Sequence, residues 1–174
     1  MTRRFALHHN SGQRGSSLME TALLLPVLFL LLLGMVELAR ISYTYYTLQK
    51  MLTMVASYLG TRQGVNFCDE ADLTVTQAKA FALTGTNEGT NTPLVPNLDT
   101  AGIRVRAERV AVDSGDLGEC DCSAQGCDLA SGGRAPDYVT VSLTDGYTVR
   151  VALPFINLEP IILRPQVRMP YGGT

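Results

Sequence analysis

The apolar positions along this chain fall into three regimes. From residue 21 to residue 36 the sequence TALLLPVLFLLLLGMV carries no charge, and seven of the nine positions at 25–33 are Leu or Phe. Counted from Leu18 the run has 19 positions, about 28 Å of helix, close to the hydrocarbon thickness of a bilayer. Such a helix is apolar all round and needs lipid, or protein on every side. Beyond it Leu38, Ile41, Tyr45, Leu48, Leu52, Val55 and Leu59 recur at alternating spacings of three and four, which places them on one helical face. Ser42, Gln49, Thr53 and Ser57 lie largely opposite, and Gly60 with Gly64 supplies a stop. Together the two regimes predict one helix from about Ser17 to Leu59, roughly 65 Å long. Residues 16–37 would lie in lipid, and 38–60 would lay their stripe on a folded body. A parallel coiled coil is the competing use of the stripe, although three heptads barely suffice for one. Pro26 removes one helix hydrogen bond and predicts a kink or local loosening.

The third regime is shorter-ranged. Residues 74–83 suit a helix, with Asp72 as N-cap and Gly85 as stop, and 84–96 read as a polar loop. Residues 103–108 alternate with period two, a strand that extends toward Val112, and 113–136 read as the loop that follows it. Residues 138–143 and 147–153 read as two more strands, joined by the hairpin signal Asp145-Gly146. Residues 167–169, between Pro165 and Pro170, would close the sheet. The expected fold class is α+β: a long N-terminal helix, transmembrane then amphipathic, packed on a small antiparallel sheet in a body at 61–174.

Charge sets a direction. Arg3, Arg4 and Arg14 precede the apolar run with no acid among residues 1–15, so the N-terminus is expected in the cytoplasm and the body on the far side of the membrane. Past residue 15, 11 Lys+Arg face 16 Asp+Glu, a net charge of −5. The basic residues form no patch on the body, which argues against nucleic acid as a partner. After the run the chain reads Glu37-Leu38-Ala39-Arg40, a poor site for an ordinary signal peptidase, so the span is expected to stay in the protein. Glu37 and Arg40 can pair at the membrane exit, and Tyr43, Tyr45 and Tyr46 suit an interfacial belt.

Just before the run stands Gln13-Arg14-Gly15-Ser16-Ser17-Leu18-Met19-Glu20. A glycine tolerates the extended backbone a protease needs. An acid at the head of an apolar helix must find a partner or bear its desolvation. This motif resembles the processing signal of type IV pilins, in which a prepilin peptidase cuts after a glycine and a glutamate stands fifth in the product. The resemblance implies cleavage between Gly15 and Ser16, a cytoplasmic leader at 1–15, and a Glu20 that pairs with the new amine of a neighbouring subunit. An uncleaved anchor with Glu20 at headgroup level is the plainer alternative.

Residues 20–63 are similar, more narrowly, to the TadE-like family of the tight-adherence (Flp) pilus. The shared features are Leu-rich sequence around Pro26, Gly34-Met35-Val36-Glu37, Arg40, the tyrosines at 43–46, Leu48-Gln49 and a small-residue helix ending near Arg62. Thr21 follows Glu20 where many relatives carry an aromatic, which suits a pseudopilin better than a major pilin. The similarity implies a type IV pilin-like fold and an inner-membrane, single-pass protein with a periplasmic body. It implies as partners the prepilin peptidase, other pilins and pseudopilins, the inner-membrane assembly platform and the lipid bilayer. The implied role is a minor pilin or pseudopilin in initiation or priming of the pilus. An anchored periplasmic binding or sensing module is the reading from another class.

Four cysteines, Cys68, Cys120, Cys122 and Cys127, all follow the apolar run, where an exported body meets an oxidising compartment. Four cysteines allow three pairings. A Cys120–Cys122 bridge would be strained, so Cys68 is expected to join one member of the 120–127 loop. Zinc is the sharper reading, but Cys-x-Cys-x4-Cys lacks the usual spacing and has no histidine nearby. Asp113, Asp116, Glu119, Asp121 and Asp128 lack the spacing of a known Ca²⁺ loop. His8 and His9 are the only histidines and precede the proposed cut. With no phosphate-binding glycine loop either, the chain is expected to be no enzyme and to need no cofactor or metal.

Overall fold

The computed structural model describes residues 13–89, 91–112, 114–120, 122, 134–152 and 158–173, with side chains from residue 18 onward. The architecture is α+β, a long apolar N-terminal helix leading into a small antiparallel sheet, as in type IV pilins.

Helix α1 (Gln13–Gly60) runs for 48 residues and continues through Pro26, a length of about 72 Å. Its apolar run is bare: Leu23, Leu28 and Leu31 are 73%, 58% and 61% exposed. This is the one helix among the described residues long and apolar enough to cross a membrane. The body buries only its last turns. Leu48, Met51, Leu52, Val55, Ala56 and Leu59 are buried, whereas Leu38 and Tyr45 of the expected stripe remain exposed. The periodicity therefore runs some two turns beyond the surface the body covers.

Helix α2 (Leu73–Thr84) packs beside α1 through Val75, Ala78, Ala82 and Leu83. Asp72 caps it by accepting from the amides of Thr74 and Val75 at 2.8 and 3.2 Å. Gly85, at φ 75°, closes it by donating its N–H to the Phe81 carbonyl, a backbone conformation that side chains other than glycine's resist.

Strands β1 (Ile103–Val110), β2 (Leu117–Glu119), β3 (Tyr138–Leu143) and β6 (Gln166–Pro170) form one antiparallel sheet in the order β2-β1-β3-β6. Ile103 lies opposite Leu143 and Val105 opposite Val141, and Val141 faces Val167 on the other side. Val139, Val141, Leu143 and Ile103 meet α1 and α2 in a single core. The opposite face carries Arg104 and Arg106, 3.6 and 3.5 Å from Glu119, and Arg168, 2.7 Å from Glu108.

Three expectations are corrected. Asp145-Gly146 does not close a hairpin between β3 and β4 (Tyr147–Val149). Both edges of β3 are already paired, to β1 and β6, and β4 instead joins β5 (Ile161–Leu163) in a separate two-stranded ribbon. Gly146, at φ 78°, makes the turn, and a side chain there would strike Ile162 and the Leu163 carbonyl. The stretch 113–136, read as loop throughout, contains the short edge strand β2. The expected third strand stops at Val149: residues 150–152 are not strand, and Leu153 lies outside the described residues.

Candidate functional site

The helix that enters the sheet is also where the sequence places its chemistry. The Gly15–Ser16 bond lies in the first turn of α1, whose backbone is helical from Gln13. Ser16 precedes Glu20 by four residues, one helical turn and about 6 Å of rise, so the two share a face. Glu20 is exposed, with Leu18, Met19, Leu23 and Leu24 bare around it. The ion pairs among the described residues lie elsewhere, between Glu37 and Arg40 and on the sheet.

Glu37 and Arg40 approach to 3.9 Å across one turn, the Glu37 side chain 15% exposed and Arg40 61%. They bound the charge-free run on its body side, as Glu20 bounds it on the other. Tyr43 and Tyr46 follow, 74% and 67% exposed. From Glu20 to Glu37 the rise is about 25 Å. The carboxylates therefore sit at the two edges of a span that matches a hydrocarbon core.

In the body Cys68 is bonded to Cys122 across 54 residues of sequence, tying the α1–α2 connection to the loop after β2. Cys120 is also disulfide-bonded. Cys127 lies outside the described residues, as do Asp113, Asp121, Asp128 and both histidines. Glu119, one of the acids weighed for Ca²⁺, is engaged by Arg104 and Arg106.

The structure adds contacts with no local signal. Tyr171 Oη donates to the Arg62 carbonyl at 2.7 Å, its ring stands edge-on to Phe67, and the Gly172 N–H donates to the Gly60 carbonyl. The chain's last strand is thus pinned to the end of the first helix. Burial raises the Tyr171 phenol above its ordinary pKa. Burial lowers the ammonium of Lys79, partly offset by Glu70. The guanidinium of Arg62 lies 4.6 Å from the Tyr58 ring centre, at the rim of an apolar hollow of about 210 Å³ shared with Met54 and Phe81.

The apolar helix, its boundary acids and its tyrosines all fall within one matched segment. Residues 15–57 match the model of the TadE-like protein family. The TadE-like segment is a quarter of the chain and begins at Gly15. It takes in the exposed span and most of the buried end of α1, and none of the sheet. No curated protein and no solved structure matches the chain. The TadE-like family is one of pilus components in the Tad system.

Proposed function

We propose that this protein is a minor pilin or pseudopilin that helps initiate or prime a Tad/Flp-type adhesive pilus. In this reading residues 1–15 are a cytoplasmic leader, removed by a prepilin peptidase between Gly15 and Ser16. Residues 16–37 hold the protein in the inner membrane, 38–60 carry the helix outward, and 61–174 fold in the periplasm. Other pilins and the inner-membrane assembly platform are its partners, and its role is structural rather than catalytic.

One observation carries this reading. The family match opens at Gly15, the glycine whose distance from Glu20 suits prepilin processing, at the head of an exposed apolar helix. Cleavage there would place a new ammonium at the membrane edge, where a carboxylate otherwise lacks compensation for leaving water.

Mass determination of the protein from cells with an active prepilin peptidase tests it. A product beginning at Ser16 is expected, and Gly15→Leu should abolish it by crowding the cleavage site. A wild-type protein that still carries its first 15 residues would sink the reading.

A further inference from the structure

The β4–β5 ribbon stands apart from the main sheet and from the roles described so far. Its inner end is held by the body: Tyr147 Oη donates to the Pro96 carbonyl at 3.1 Å, and Leu163 packs on the core. The register pairs Tyr147 with Leu163, Thr148 with Ile162 and Val149 with Ile161. Arg150 and Pro160 therefore follow at the outer end.

That outer end lies beside α1. A groove of about 750 Å³ is lined on one side by Arg40 and Thr44 and on the other by Gly146, Tyr147, Thr148 and Arg150. Arg40 precedes Leu48, where the helix becomes buried in the body, by roughly 12 Å of rise. The ribbon thus reaches back along the helix toward the end of the charge-free run.

Its tip is apolar. Leu158, Ile161 and Ile162 are 50%, 41% and 51% exposed, on a short ribbon edge where soluble proteins usually place charge. Arg150 and Arg164 are exposed nearby, with Glu159 the one acid between them. Arg40, Tyr43 and Tyr46 stand close to this level on α1. Exposed aliphatics with flanking guanidinium and phenol groups match the layered chemistry of a bilayer interface, hydrocarbon beside phosphate.

We infer that the ribbon is a second membrane contact. Leu158, Ile161 and Ile162 enter the interfacial layer beside α1, and lipid phosphates meet Arg40 and Arg150. This rests on the reading that α1 spans the membrane. A single helix leaves the body free to swing and rotate about its axis. A second contact on the same bilayer fixes that rotation, and with it the face the body offers to neighbouring subunits.

The chain has no tryptophan, so one introduced indole reports its own surroundings. Leu158→Trp and Ile162→Trp probe the ribbon at positions already exposed. Val36→Trp marks the end of the apolar run, and Phe81→Trp marks the body, beside Met54 and Arg62 and roughly 20–30 Å farther along α1 than Arg40. Each full-length variant is reconstituted in phosphatidylethanolamine–phosphatidylglycerol vesicles, part of whose acyl chains carry bromine near the headgroup. Non-reducing mass analysis for the Cys68–Cys122 link checks the fold, and the two ribbon positions guard against one failing it. Both ribbon variants should be quenched at least half as strongly as Val36→Trp, with Phe81→Trp unaffected. Quenching at Val36→Trp with none at either ribbon position overturns the inference and leaves the membrane reading standing. An unquenched Val36→Trp overturns the membrane reading itself.

Discussion

Glu20 and Lys79 are two charged side chains in settings that do not favour charge, and they serve opposite ends of the molecule. Glu20 stands among bare leucines far from the core, which begins at Leu48. An acid near a bilayer centre costs about 3 kcal/mol on insertion scales, and at the membrane edge a neighbour's amine would relieve that cost. Glu20→Ala is therefore expected to leave insertion and the body's protease resistance unchanged while weakening crosslinking to pilin partners and reducing piliation. Normal crosslinking in the mutant would leave Glu20 as a headgroup-level charge and no more. Lys79 is buried on α2 with its pKa depressed, so the folded state holds its proton less tightly than the unfolded chain does. Between the folded pKa and 10.5, unfolding takes up a proton, and stability rises with pH across that window. Below it the desolvation penalty is present in full. Lys79→Met should accordingly be the more stable protein at neutral pH, and its advantage should shrink as the pH approaches that of free lysine. Urea midpoints of the two proteins across alkaline pH check the sign.

Elements differ in how far local sequence decides them. Helix α2 was legible because its two ends carry their own chemistry, Asp72 accepting from Thr74 and Val75 and Gly85 in the left-handed region. Asp72→Ala should lower stability by about 1 kcal/mol, measured as a shift in urea midpoint at unchanged slope. Strand β1 was legible from alternation, and β6 from the prolines that bracket it. Asp145-Gly146 misled because a turn signal reports only that the chain reverses. Which strand pairs with which was settled by β6, arriving from more than twenty residues away to take the edge of β3. The edge strand β2, three residues in a Gly- and Asp-rich stretch, has no pattern long enough to read; it forms because Leu117, Gly118 and Glu119 find β1. The stripe on α1 was read correctly as a helical face, yet only Leu48, Leu52, Val55 and Leu59 of it are buried by the body. Periodicity records that a face is covered in use, by whatever covers it. The spacing of Gly15 and Glu20 is legible as linear sequence alone, and on the proposed function it is as linear sequence that a peptidase would read it.

At the scale of the whole molecule, the fold joins a bare apolar helix to a body with a modest core, and the disulfide matters through the second of these. About 110 residues beyond α1 bury limited apolar surface. Contacts distant in sequence hold them together, among them Tyr171 on the Arg62 carbonyl and β6 on β3. Cys68–Cys122 closes a segment of 54 residues, which the chain-entropy account values at about 4 kcal/mol. The bond also depends on location, because an exported body meets an oxidising compartment and a cytoplasmic one does not. Orientation and stability therefore form one prediction. Non-reducing digestion of protein from intact cells should yield a Cys68–Cys122 peptide, with neither thiol open to alkylation. Replacing both residues by Ser should leave α1 inserted, since Cys68 and Cys122 both lie beyond the apolar run in the sequence. The body should lose roughly 2–4 kcal/mol and become sensitive to protease added from the periplasmic side. Freely alkylatable Cys68 and Cys122 in the wild-type protein would place the body in the cytoplasm and reverse the direction inferred from Arg3, Arg4 and Arg14. A protease-resistant double mutant would instead keep that direction and show that α1, α2 and the sheet suffice to hold the body together.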